Sequence, residues 1–194
     1  MGRPPLEGMR IAALVGEAFE LKELTELKEA LEQAGAQVIV VGPEPGRISG
    51  VNVQARGDDR VGTVTVDVPL DRARPEEYDA LLLPGGAEHP DPLYTDPLAV
   101  EFVRRIDDAG CPVAVAGYGP ILLAAANVVG GRIVCGAPAV RDYVEGTGGI
   151  WSSQPILVSQ NWICSRSVGE LPNFVHTVIQ EFGSYWRRFE QRAA

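Results

Sequence analysis

A continuous apolar run, Arg10-Ile-Ala-Ala-Leu-Val15, is followed by leucines at positions 21, 24, 27 and 31. The run reads as a strand buried on both faces, and the leucine spacing as one face of a helix. Gly35 stops that helix, and Gln37–Val41 forms a second apolar strand. A strand–helix–strand order requires a right-handed crossover and a parallel sheet, so an α/β chain is predicted.

The pattern breaks over Pro43–Asp71, where Gly, Pro and Asp are frequent and Val61–Val68 alternates, which predicts an excursion of short strands. Ala80–Leu83 is another buried strand, ending in Pro84-Gly85-Gly86. Asp96-Pro97 reads as an N-cap followed by proline at the first helical position, with Leu98, Phe102 and Ile106 on one helix face. Strand Val113–Ala116 and helix Ile121–Val129 come next. Arg132–Cys135, Pro155–Ser159 and Trp162–Cys164 read as later strands, and a last helix runs from Leu171-Pro172 to about Arg188. With no repeat and no linker, the expectation is a single domain over residues 9–194 behind a flexible segment, 1–8.

Ligands of open α/β sheets bind beyond the carboxyl ends of the strands. Three loops leave such ends: Gly16–Glu20, Pro84–Pro92 and Gly117–Pro120. The third has the form of a nucleophile elbow, a strand, a sharp turn and a helix start. Enzymes place Ser or Cys at such a bend; here it holds Gly117 and Tyr118.

The formal net charge of −9 argues against nucleic acid and anionic membrane surfaces as partners, since both select clustered Lys and Arg. Three cysteines without metal-ligand spacing fit a reducing cytoplasm and predict no metal site. No apolar run reaches the ~18 residues of a transmembrane helix, and no cofactor-binding motif is present.

Several segments together carry a family resemblance over roughly Arg10–Phe182: Phe19-Glu20, Tyr78-Asp-Ala-Leu-Leu-Leu-Pro-Gly-Gly86, Cys111-Pro-Val-Ala-Val, Gly119-Pro-Ile-Leu-Leu, Gly131-Arg-Ile-Val134, Ile163-Cys-Ser-Arg166 and Glu170-Leu-Pro172. In order and spacing the chain resembles the PfpI/ThiJ family of the class I glutamine amidotransferase-like superfamily. The resemblance implies a flavodoxin-like three-layer sandwich with a mostly parallel central sheet, assembled as a homo-oligomer, a dimer or a hexamer. Family members include peptidases, glyoxalases, deglycases and stress proteins. Active ones carry Cys then His at the elbow, with the Cys as nucleophile beside a carboxyl group. Carried onto this chain, the Cys position is Gly117, the His position Tyr118 and the carboxyl position Glu20. The backbone donors facing an oxyanion would be those of Gly86 and Tyr118, and a His that some relatives place after the elbow helix is replaced by Ala137.

The nucleophile and base are therefore missing where acid and backbone donors are kept. Glu20 could equally be a first-turn helix acid. Gly117 leaves space in which the N–H groups of Gly119 and Ile121 would face a small polar or anionic ligand. Cys135, on the strand leading to Ala137, is the substitute nucleophile to weigh against an inert core thiol. His89, with Asp91 beside it, lies in a loop at a strand end and could gate a ligand, whereas His176 is mid-helix and structural. Phe182, Tyr185, Trp186 and Phe189 form an aromatic stripe that packs on the chain's own sheet or on another subunit. The leading expectation is a non-catalytic, stress-associated binding or regulatory protein. The alternative is a hydrolase or a glyoxalase/deglycase-like enzyme using Glu20 with Tyr118, Cys135 or a bound water.

Overall fold

The computed structural model describes residues 2–52, 60–86 and 92–193. Strand β1 (Arg10–Leu14) leads through a two-residue strand, β2 (Phe19–Glu20), into helix α1 (Leu21–Gln33), and β3 (Gln37–Gly42) returns parallel to β1. In α1, Leu24, Leu27 and Leu31 are fully buried; each contributes roughly 1.5–3 kcal/mol by leaving water. The helix ends where Gly35 takes φ +101° and Ala36 N–H donates back to the Leu31 carbonyl, the αL termination that glycine favours.

The excursion predicted after β3 contains β4 (Arg47–Val51), β5 (Arg60–Thr65) and β6 (Val68–Pro69). Strands β2, β4 and β5 make a small separate sheet, while β6 joins the edge of the main one. Then follow β7 (Ala80–Leu83), α2 (Pro97–Asp108), β8 (Val113–Ala116) and α3 (Pro120–Ala125). The chain ends with β9 (Ile133–Val134), α4 (Arg141–Gly146), β10 (Ile150–Trp151), β11 (Ile156–Ser159), β12 (Trp162–Ser165) and α5 (Leu171–Ala193). The main sheet has seven strands in the order β11-β12-β8-β7-β1-β3-β6, parallel except for β11 against β12.

Alternation along the strands separates two cores. Ile11, Ala13 and Val15 pack under α1 and α5, whereas Ala12 and Leu14 pack with Phe102, Val103 and Leu122 under α2 and α3. This is a flavodoxin-like sandwich of helices on both faces of a mostly parallel sheet. Strand order reverses between β1 and β7, so their carboxyl ends open a crevice at the switch point.

Some local expectations change. On α2 the buried face is Ala99, Phe102, Val103 and Ile106, and Leu98 is 52% exposed, because the apolar stripe centres one residue later. Helix α3 stops early because Asn127 takes φ +58° and Val128 N–H closes onto Leu123. The Arg132–Cys135 strand is only β9, paired with β10 outside the main sheet. Residues 2–8 are not a loose tail. Leu6 is fully buried, its N–H donates to the Ala34 carbonyl, and Trp186 Nε1 donates to the Glu7 carbonyl. Of the aromatic stripe, Phe182, Tyr185 and Trp186 pack on their own chain, while Phe189 is 44% exposed. Phe182 is buried, the Tyr185 hydroxyl reaches Cys111 Sγ at 3.7 Å, and Phe189 stacks on Trp186 at 5.3 Å.

At the end of the sheet away from the crevice, Asp107 gathers a buried polar cluster. Its carboxylate accepts from Arg132 (2.9 Å), Asn161 (2.9 Å) and Trp162 Nε1 (2.7 Å), and the Arg132 guanidinium lies over the Trp162 ring. Arg132 Nη2 also donates to Asn161. The cluster ties α2 and the start of β9 to the start of β12.

Candidate active site

Gly117 stands at the crest of the turn between β8 and α3 with φ +52°. That left-handed bend is the elbow geometry, and glycine adopts it at little cost. A Cβ at Gly117 would find ordinary contacts only, Gly85 Cα at 3.5 Å and Glu23 Oε1 at 4.0 Å. The peptide is held at both ends. Its N–H donates to Ser165 C=O (3.0 Å) and its C=O accepts from Ala137 N–H (2.8 Å).

The carboxyl set against this bend belongs to Glu23. Its side chain crosses from α1 to accept the Gly85 N–H at 2.7 Å, and the residue is 2% exposed. Burial pushes the Glu23 carboxyl up to about 7; the charge of nearby Glu20 adds to this and the Gly85 N–H opposes it. Glu20, expected in this role, caps α1 instead, accepting the Lys22 N–H at 3.3 Å. Glu23 has a signal of its own in the sequence. It is an acid four residues before Leu27, inside the apolar stripe of α1, where a solvated charge has no place.

The neighbouring loop fits only without side chains. A Cβ at Gly85 would lie 2.9 Å from Glu23 Oε2, and one at Gly86 would lie 2.8 Å from the Ala18 carbonyl. Gly86 also bridges to Phe19, and Ala18 is itself in the left-handed region at φ +61°. The substitution Gly86→Ala meets backbone, which cannot swing aside, so a loss of about 1–3 kcal/mol is expected, measured as a lower urea midpoint.

Tyr118 is half-buried against the α2/α3 core. Gly119 and Ile121 do not offer free N–H groups to a ligand. Gly119 N–H donates to the Ala116 carbonyl and Ile121 N–H to the Tyr118 carbonyl, in the tight turn that starts the six-residue α3. Cys135 is fully buried beneath the elbow, its thiol pushed up by its hydrogen bond to Cys164 and by burial, so it is no surface nucleophile. His89 and Asp91 lie outside the described residues. His176 is exposed on α5. No helix among the described residues is long and apolar enough to cross a membrane.

A doubly wound α/β sandwich with a strand–turn–helix elbow, a buried carboxyl against it and a glycine pair opposite defines the class of protein. The chain belongs to the DJ-1/PfpI family, whose sequence model matches residues 9–181. It is 31% identical to protein/nucleic acid deglycase 2 of Escherichia coli over 90% of this chain and 98% of that protein. It is 33% identical to deglycase PfpI of Pyrococcus furiosus over 84% of this chain and 93% of that one. Among solved structures, a two-domain protein of Anabaena variabilis with a DJ-1/ThiJ/PfpI-like domain superposes with a TM-score of 0.81 at 26% identity, over 90% of this chain and 48% of that one. Drosophila melanogaster DJ-1beta shares the fold with a TM-score of 0.79 at 19% identity, over 90% of each chain.

Proposed function

We propose that the protein is an enzyme of the deglycase or glyoxalase kind that moves a proton on Glu23 and uses water where an elbow thiol would act. The observation that carries this reading is the buried Glu23 carboxyl, held near neutrality against a bend with no side chain of its own. A carboxyl with a value near the working pH can both take and return a proton. The deglycase names of full-length relatives support the same direction.

With methylglyoxal, water adds to the aldehyde carbon to give a geminal diol. The Glu23 carboxylate removes the C–H proton from that carbon, leaving an enediol. The Glu23 acid returns the proton to the adjacent carbon, and lactic acid results, so one water is consumed and Glu23 is restored. For an adduct on an amine, the carbinol takes the place of the diol. The same shuttle then gives a lactoyl amide, and hydrolysis by one water releases the amine and lactic acid.

A second reading, ligand binding without turnover, is favoured by the glycine at the elbow, which leaves the bend without a nucleophilic side chain. Lactate formation from methylglyoxal separates the two, with a Gly117→Cys/Tyr118→His variant alongside. Lactate from the native chain, unaffected by thiol alkylation, supports the enzyme. A silent native chain beside an active double variant supports the binding protein.

A further inference from the structure

A cleft of about 160 Å³ lies at the end of the sheet away from the elbow. Gly110, Pro112 and Asn161, which line it, lead into β8 and β12, whereas Gly117 and Ser165 stand at the far ends of those strands.

Two of its walls are fixed from behind. The Asn161 carboxamide donates to Asp107 (2.9 Å) and to the Cys111 carbonyl (2.8 Å) and accepts from Arg132. The Tyr185 ring is held through its hydroxyl at Cys111 and by stacking on Phe189. Val158 adds an apolar surface that is 45% exposed.

Three other side chains line the cleft unengaged. Among the described residues, those of Gln160, Glu181 and Arg188 make no hydrogen bond or ion pair. Glu181 is half-buried and Arg188 is exposed. The two stand seven residues apart on α5 with Tyr185 between them, about 10 Å along the helix. Helical ion pairs form at three or four residues, so these opposite charges meet one cleft without neutralising each other. Gln160 also occupies a strained place. It opens the two-residue turn between β11 and β12 at φ +56°, where glycine is preferred. A side chain kept against such a preference points to a use for it.

We propose that this cleft binds a free α-amino acid with an apolar side chain. The Glu181 carboxylate accepts from the α-ammonium group. The Arg188 guanidinium donates to the α-carboxylate, which its planar fork fits, and the Gln160 amide donates to the same carboxylate. The apolar side chain covers the Tyr185 ring and Val158. An anion alone would face Glu181 and an amine alone would face Arg188, whereas a zwitterion satisfies both. The volume sets the size, because a cavity of about 150 Å³ holds a body as large as benzene, and the branched side chain of leucine is no larger. The cleft contains no residue of the elbow, so the site stands independently of the proposed enzyme activity.

The test is a titration of the isotope-labelled full chain with L-leucine, followed by amide NMR. Charges that keep part of their hydration hold a small ligand with a Kd on the order of 1 mM. Saturable shifts are expected at Gln160, Asn161 and Tyr185, with Gly117 unmoved. Isocaproate, which lacks the ammonium group, and isoamylamine, which lacks the carboxylate, are each expected to bind at least about tenfold more weakly. Glu181→Gln and Arg188→Gln are each expected to weaken leucine by a similar factor while the rest of the amide spectrum stays native. Absence of saturable shifts at these residues at about ten times the expected Kd overturns the site. So does equal binding of the three compounds, or unchanged affinity in both variants. Shifts confined to Gly117 and Tyr118 would place leucine at the elbow and overturn it as well. No readout depends on turnover, so failure of the proposed enzyme and failure of this site are distinguishable.

Discussion

Replacing Glu23 by Gln is expected to remove lactate formation from methylglyoxal by a factor of about 10²–10⁴, the range for loss of a positioned general acid–base group. Gln keeps an oxygen to accept the Gly85 N–H, so the fold is retained while the proton shuttle is lost. The native rate is expected to rise with pH with a midpoint near 7, where the carboxylate forms. Glu20→Gln behaves differently. It takes away a charge that raises Glu23, so its activity survives and its midpoint moves to lower pH. Stability gives an independent sign. A carboxyl raised from 4.5 to about 7 on folding binds more protons in the folded state across that window. Folding is therefore favoured below the lower value, and the advantage is lost as pH rises through the upper one, by about 3 kcal/mol. In Glu23→Gln that component of the pH dependence is expected to be absent, with a higher urea midpoint than the native chain at pH 8.

The substitution Asp107→Ala is expected to cost about 3–5 kcal/mol, because it leaves the Arg132 charge buried without its counter-ion. Asp107 and Arg132 side chains are only 8% and 13% exposed, and Asn161 and Trp162 Nε1 would lose the same acceptor. Urea unfolding monitored by Trp fluorescence measures the loss. Replacing Arg132 together with Asp107 by apolar residues of similar volume is expected to lose less than the single variant, since no orphaned charge remains.

The strands Ala80–Leu83 and Val113–Ala116 are legible in the sequence because strands buried on both faces must be apolar throughout, and the Asp96-Pro97 start of α2 because the cap and the proline have local causes. Strand β2 and helix α4 are not legible. Strand β2 is two residues long and is set by pairing with Gly50 and Val51. Helix α4 is six residues with one buried side chain, Val144. The burial of Leu6 is not legible either, because its partners, Ala34 and α5, are distant in sequence. The elbow was visible as strand, glycine and helix. The carboxyl at the elbow is Glu23, one turn after the Glu20 that the resemblance implies. Phe19-Glu20 matched a family segment, but which acid of α1 points inward depends on helix phase, and Glu20 sits at the N-cap where its side chain turns back to Lys22. The free donors expected of Gly119 and Ile121 were lost to a turn so tight that its own carbonyls take them.

The most direct test of the account is the titration of the Glu23 carboxyl carbon by NMR in the native chain, assigned by its loss in Glu23→Gln. A midpoint near 7 is the result predicted. A midpoint in the ordinary range of about 4.3 would mean a solvated carboxylate, one that cannot return a proton at neutral pH, and would contradict the mechanism.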